Sequence, residues 1–249
     1  MTGAERHPLR NTVVLIVGLL VFWQLMYLVV GDVAMRSPWQ TLRATATLAR
    51  TDWFWEDVAN TMAAFAAALA IAVVLGLLIG FALGLHRLSA EAMEPMLVAL
   101  YSIPKITLYP IILLVFGLGM SAKVAFGAIH GIIPVALFTL SAVRGTRPIF
   151  VKTGRVLKLD TPTMVRSILF PAAVPEIFTG LRVGFSLTLI GTVLGEMFAS
   201  QHGLGHLLMN AIGLYNVEVI MSVTFLLVVF AAAVNGILLA IDRRLHFRA

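Results

Sequence analysis

Six apolar runs, each long enough to cross a bilayer, leave this chain little freedom in how it folds. They cover residues 12–30, 63–85, 96–120, 124–143, 177–200 and 219–241. A hydrocarbon core about 30 Å thick takes roughly 20 apolar residues per helical crossing. In lipid each backbone N–H and C=O must find a partner inside the protein, so runs of this length are expected to be helices. With 60% hydrophobic and 12% charged residues among 249, no room remains for a separate soluble domain. The expectation is an all-α polytopic membrane protein in which residues 1–249 form one transmembrane domain of six helices. The first run follows a basic lead, MTGAERHPLR, but exceeds the 7–15 residues of a signal-peptide core and is read as a retained helix. The absence of cysteine excludes structural disulfides and thiolate metal sites.

The net charge of +6 is informative through its distribution. With both termini on the inner side, the inner segments hold Arg6, Arg10, Arg87, Arg144, Arg147, Lys152, Arg155, Lys158, Arg166, Arg243, Arg244 and Arg248. The outer segments hold Arg36, Arg43, Arg50 and, at a helix edge, Lys123. That asymmetry follows the positive-inside rule. The basic balance therefore reports topology and lipid contact, and no basic patch stands apart to suit nucleic acid. The outer stretch 53–55, Trp53, Phe54 and Trp55, suits an interfacial aromatic belt.

Glycines recur at four-residue spacing inside the runs: Gly76, Gly80 and Gly84; Gly127 and Gly131; Gly180 and Gly184; Gly191 and Gly195. Small residues at i and i+4 let helix backbones approach closely where lipid gives no hydrophobic drive, so these are read as packing positions. Polar residues in the runs are functional candidates because charge in a bilayer is costly. Lys105 lies between Pro104 and Pro110 at a break in the third run. It either lines a pathway or gate, with those prolines, or snorkels to headgroups. Arg182 is expected to snorkel. Glu196 either faces the pathway or braces a neighbouring helix. His130, also a pathway candidate, and Asn235 are expected to make interhelical hydrogen bonds. His130, His202 and His206 lack metal-ligand spacing, so no metal site is expected.

The polar loop 144–176 interrupts this apolar sequence. "IFVKTGRVLK" is expected to form one helix, followed by a turn at Leu159, Asp160, Thr161 and Pro162. Asp and Thr favour N-caps and Pro the first helical position, so a second helix should start at Pro162, stop before Pro171, and lead into the fifth run at Glu176. Leu157, Leu159, Met164 and Ile168 stand among basic residues, including Arg155 and Lys158. Such a surface suits a gripping protein partner, with a lipid-surface element as the alternative.

The loop resembles the EAA coupling loop of ABC-importer permease subunits, whose pattern is E-A-A, three residues, G, nine residues, I-x-L-P. "KTG" 152–154 stands at E-A-A, Lys158 at the glycine, and "ILFP" 168–171 at I-x-L-P, with Ile168 and Pro171 matching. The flanks "SIPKITLYPIILLVFGLGMSAK" and "FPAAVPEIFTGLRVGFSLTLIGTVLGEMFASQHGLGHLL" are similar to the sulfonate, nitrate, taurine and pyrimidine-precursor branch. The resemblance covers about residues 58–245.

What it implies is a type I permease subunit in a bacterial inner membrane, with both termini cytoplasmic. A second permease copy would complete the pathway, a homodimer in preference to a heterodimer. Two cytoplasmic ATPases would dock on the coupling residues around 155–166, and an extracytoplasmic solute-binding protein would deliver substrate. ATP and Mg would belong to the ATPases; the chain has no G-x-x-x-x-G-K-[ST] loop and is expected to bind no cofactor. It also lacks a nucleophile–base grouping, so it is not expected to be an enzyme. Lys105 hints at an anionic solute. An ion-coupled secondary transporter and a membrane scaffold are the competing readings.

Overall fold

The computed structural model describes residues 8–246. Arg6 and Arg248, counted above, lie outside the described residues, as does the side chain of Arg155. Among the described residues all regular structure is helical. The order is α1 (Pro8–Val30), α2 (Pro38–Leu48), α3 (Asp52–Gly84), α4 (Arg87–Ser102), a 3-10 turn (Lys105–Leu108), α5 (Tyr109–Phe116), α6 (Met120–Gly145), α7 (Pro148–Val156), α8 (Thr161–Met164), a π turn (Val165–Leu169), α9 (Phe170–Ala199), α10 (Leu204–Gly213) and α11 (Val217–His246).

Five helical stretches are long and apolar enough to cross a membrane: Arg10–Val30, Asp52–Gly84, Met120–Gly145, Thr161–Phe198 and Val217–Arg244. A sixth crossing exists only if the pair Arg87–Ser102 and Lys105–Phe116, bent by 87°, counts as one. The third run, expected as a crossing at 96–120, is therefore not one helix. Pro104 disfavours the α region for the residue before it, and Ile103 accordingly adopts φ −65°, ψ 134°. Pro110 then falls in the first turn of α5, where its missing N–H costs nothing.

The fifth run also departs from expectation. Neither Pro171 nor Pro175 ends a helix, and the chain stays helical from Thr161 to Ala199. A helical proline ring meets the carbonyl four residues earlier, which for Pro171 is that of Ser167. Ser167 lies in the π turn, whose wider backbone accommodates the ring. α3 likewise begins well before the expected start at 63; its 33 residues span about 50 Å at 1.5 Å per residue.

The chain forms two compact units, Met1–Trp55 with Leu208–Val228, and Glu56–Leu207 with Val229–Ala249. In the first, α2 opens with a capping box in which Ser37 and Gln40 exchange side-chain and backbone bonds. The Trp23 indole donates to the Arg36 carbonyl at 2.9 Å. Trp53 and Trp55 are exposed while Phe54 is buried, so two of the three aromatics are free for an interfacial belt.

The second unit packs α3, α6 and α9 against one another, and the expected glycine faces make those contacts. Cβ atoms on Gly76, Gly80 and Gly84 of α3 would collide with Val135, Thr139 and Val143 of α6. From α9, Gly180 abuts Phe138, Gly184 abuts Val135, Gly191 abuts His130 and Gly195 abuts Lys123. Gly127 and Gly131 of α6 abut Thr192 and Thr188. α6 is thus the central helix, with Phe126, Val135, Thr139 and Leu140 fully buried.

Candidate functional site

The hairpin between α6 and α9 is the first candidate. α7 ends in a left-handed residue, Lys158 at φ 53°, and the Leu159 N–H reaches back to the Gly154 carbonyl at 3.1 Å. This six-to-one bond across a left-handed residue is the Schellman way of ending a helix. Position 158 is where the resembling pattern carries glycine. The lysine departs from that pattern in side chain yet keeps the glycine-like backbone.

The two arms of the hairpin close on each other at Gly154. A Cβ there would overlap the Met164 thioether and stand 3.0 Å from Cδ1 of Ile168. Met164 and Ile168, expected as partner contacts, are therefore partly spent on holding the hairpin together. Asp160 is extended, at φ −68° and ψ 161°, and precedes the helix with Pro162 in its first turn. The Asp160 side chain makes no cap bond; its carbonyl instead accepts from the Met164 N–H at 2.9 Å. What the hairpin leaves in the open is its tip. Val156 is 80% and Leu157 63% exposed, Lys158, Asp160, Thr161 and Pro162 are exposed beside them, Leu159 is half-buried, and Pro171 is exposed on the second arm.

At the opposite end of α9 stands a buried polar network. Glu196, 0% exposed, takes Lys123 Nζ at 3.1 Å on Oε1. Its Oε2 accepts from Thr61 Oγ1 at 2.8 Å and from the Gly205 N–H at 3.1 Å. Thr61 Oγ1 in turn accepts from the Leu204 N–H at 2.8 Å, and Asp57 Oδ1 from the Gly203 N–H at 2.6 Å. Lys123 also reaches the His202 carbonyl at 3.4 Å. The segment 200–205 is thereby fastened over the ends of α3, α6 and α9. Gly203, at φ +115°, permits this because a Cβ would strike the Glu196 carboxylate. Glu196 thus joins α3, α6 and the segment after α9 through its side-chain bonds. Lys123, counted at a helix edge outside, stands in the first turn of α6 and is buried as its partner.

The break in the third run is the third candidate. Lys105 is nearly buried; its Nζ donates to the Tyr101 carbonyl at 3.1 Å and lies 5.3 Å from the Tyr101 ring centroid. The ammonium thus caps the C-terminal end of α4, where free carbonyls and the negative dipole end favour a cation. His130 is buried against Phe126, with Nδ1 2.8 Å from that residue's carbonyl, so Nδ1 carries the proton. This bond is within α6, and the expected interhelical bond is not formed.

Tyr101 also lines an open cavity of about 570 Å³ with Arg182, Ser186, Leu187 and Asn235. Two of these correct the sequence reading. Arg182 does not simply snorkel: its guanidinium pairs with Asp242 at 3.4 Å, and Asp242 also accepts from Thr179 at 3.2 Å. Asn235 is not tied off between helices but faces the cavity. Glu196 and His130, expected as pathway candidates, do not line it, nor do Pro104, Lys105 and Pro110. Among the described residues no group of three or more His, Asp or Glu could hold a metal ion.

Comparison with known proteins agrees with this architecture. Residues 72–249 match the family described as binding-protein-dependent transport system inner membrane component. The chain is 26% identical over 251 aligned positions to the taurine transport system permease protein TauC of Escherichia coli, covering 96% of this chain and 91% of that one. It is 32% identical to the riboflavin transport system permease protein RibX of Chloroflexus aurantiacus, covering 81% and 76%. In fold it is similar to a chain of the inward-facing MetNI methionine ABC transporter, with TM-score 0.61 and 18% identity over 85% of this chain and 99% of that one. The chain belongs to this family: it is the permease component of a binding-protein-dependent ABC importer, a multi-pass protein of the inner membrane. Membership implies an ATPase and a solute-binding protein as partners.

Proposed function

We propose that this permease couples ATP hydrolysis, at ATPase subunits docked on the tip 156–162, to passage of a small anionic organic solute. The observation that carries this reading is the rigid hairpin that leaves Val156 and Leu157 exposed beside Lys158. An apolar pair with a neighbouring cation, held at a fixed angle by the Gly154 contact, is suited to insertion in a partner groove. In this reading the hairpin end is cytoplasmic, both termini share that side, and the network at Glu196 faces the binding protein. A second copy of the chain completes the pathway, and the spans rock between inward-open and outward-open states.

The cavity at Tyr101, Arg182, Ser186 and Asn235 serves as the hairpin-side vestibule. It offers the Arg182 guanidinium, which shares its charge with Asp242, beside neutral hydrogen-bonding groups, and no carboxylate lines it, which favours an anion over a cation. The relative named for taurine, which carries a sulfonate, supports that class. The test is ATP-dependent uptake of labelled taurine and of a simple alkanesulfonate by proteoliposomes holding the whole importer. Asn235→Leu removes a hydrogen-bonding group from the vestibule and keeps both partners of the Arg182–Asp242 pair. Uptake should fall at least tenfold while ATPase binding is kept; unchanged uptake would remove the vestibule from the path.

A further inference from the structure

A second cavity, at the root of the hairpin, plays no part in that reading. It measures about 610 Å³ and is lined by Thr146, Arg147, Phe150, Ile168, Pro171 and Glu176 among others. Glu176 is half-buried, and no hydrogen bond or ion pair joins it to another described residue. Its Oε2 stands 3.9 Å from where a Cβ of Gly145 would be, so the carboxylate lies against the last turn of α6. There the helix presents the negative end of its dipole, with the Ala142 carbonyl already accepting from Thr146 Oγ1 at 3.2 Å. An anion in that position calls for a cation that can donate hydrogen bonds. Arg147 lines the same cavity but forms no ion pair with Glu176.

One wall therefore asks for an ammonium and another offers a guanidinium, while Phe150, Ile168 and Pro171 supply apolar surface. α6 ends at Gly145, which puts the cavity at the headgroup layer on the hairpin side. We infer that it holds the headgroup of a phosphatidylethanolamine-type lipid. The primary ammonium donates to Glu176 and to the end of α6, the phosphate takes Arg147, and the acyl chains lie along the apolar wall. Arg suits the phosphate because its planar fork matches two oxygens at once. A trimethylated headgroup cannot substitute, since it has no N–H to give.

The experiment uses the intact importer in membranes that mix phosphatidylethanolamine, phosphatidylcholine and phosphatidylglycerol, with native mass spectrometry of the lipid retained. The unmodified protein should retain phosphatidylethanolamine over phosphatidylcholine by about tenfold, as expected for losing charge-assisted hydrogen bonds. Glu176→Gln should abolish that preference, and Arg147→Gln should lower retention of both lipids. Equal retention by the unmodified protein, preference for phosphatidylglycerol, or a preference that survives Glu176→Gln overturns the inference. So does loss of bound ATPase in Glu176→Gln with lipid retention unchanged, which would give the carboxylate to a protein partner. The first comparison needs no variant, so a folding defect in either substitution leaves it decisive.

Discussion

Lys123 and Glu196, 73 positions apart, meet as an ion pair with Nζ 3.1 Å from Oε1 and both side chains almost wholly out of contact with solvent. Such a pair contributes little over an apolar replacement, but losing one partner leaves an uncompensated buried charge at about 3–5 kcal/mol. Lys123→Met should therefore lower the unfolding midpoint of the purified protein sharply. Lys123→Met with Glu196→Leu should recover part of the loss. A double variant as unstable as the worse single one would count against a paired role.

The left-handed backbone at Lys158 gives a second prediction. A non-glycine residue there costs roughly 1–2 kcal/mol, so Lys158→Gly should raise stability by about 1 kcal/mol in chemical denaturation. Lys158→Val, β-branched and strained at positive φ, should lower it. Equal effects of the two would mean that the turn is not held as described.

Packing of α3 on α6 is equally open to test. Gly80 lies against Thr139 and the Ala136 carbonyl, backbone that cannot step aside. Gly80→Val should cost about 1–3 kcal/mol through overpacking, whereas Gly236→Ala, inside α11 with open space around it, should leave stability undiminished or raise it by up to about 1 kcal/mol.

Sidedness can be read directly because the chain has no cysteine of its own. Leu157→Cys should react with a membrane-impermeant maleimide only from the cytoplasmic face, and Gln201→Cys only from the opposite face. Labelling of both from one side would refute the assigned orientation.

The sequence carried the helical spans, the glycine faces and the break at Pro104 because each depends on local pattern or backbone chemistry. Pro104 dictates the conformation of Ile103 whatever surrounds it. Pro171 misled for the complementary reason: the π turn that accommodates it is not a property of that proline. Lys123 with Glu196, and Arg182 with Asp242, were out of reach because no short-range signal couples them. One clue was present for the first pair, since both residues fall at the same end of antiparallel neighbouring spans. Matching depth along the bilayer would have placed the two charges together.

In the proposed coupling, the ATPase grips this permease at the tip of the hairpin. The direct measurement is the amount of ATPase that co-purifies with the tagged chain from native membranes, compared with a Leu157→Asp variant and with residues 159–162 replaced by a Gly-Ser linker. Stoichiometric ATPase should accompany the unmodified chain and be lost with both variants, while the tagged chain itself is still recovered from the membrane. Undiminished ATPase on a chain with its tip destroyed would contradict it.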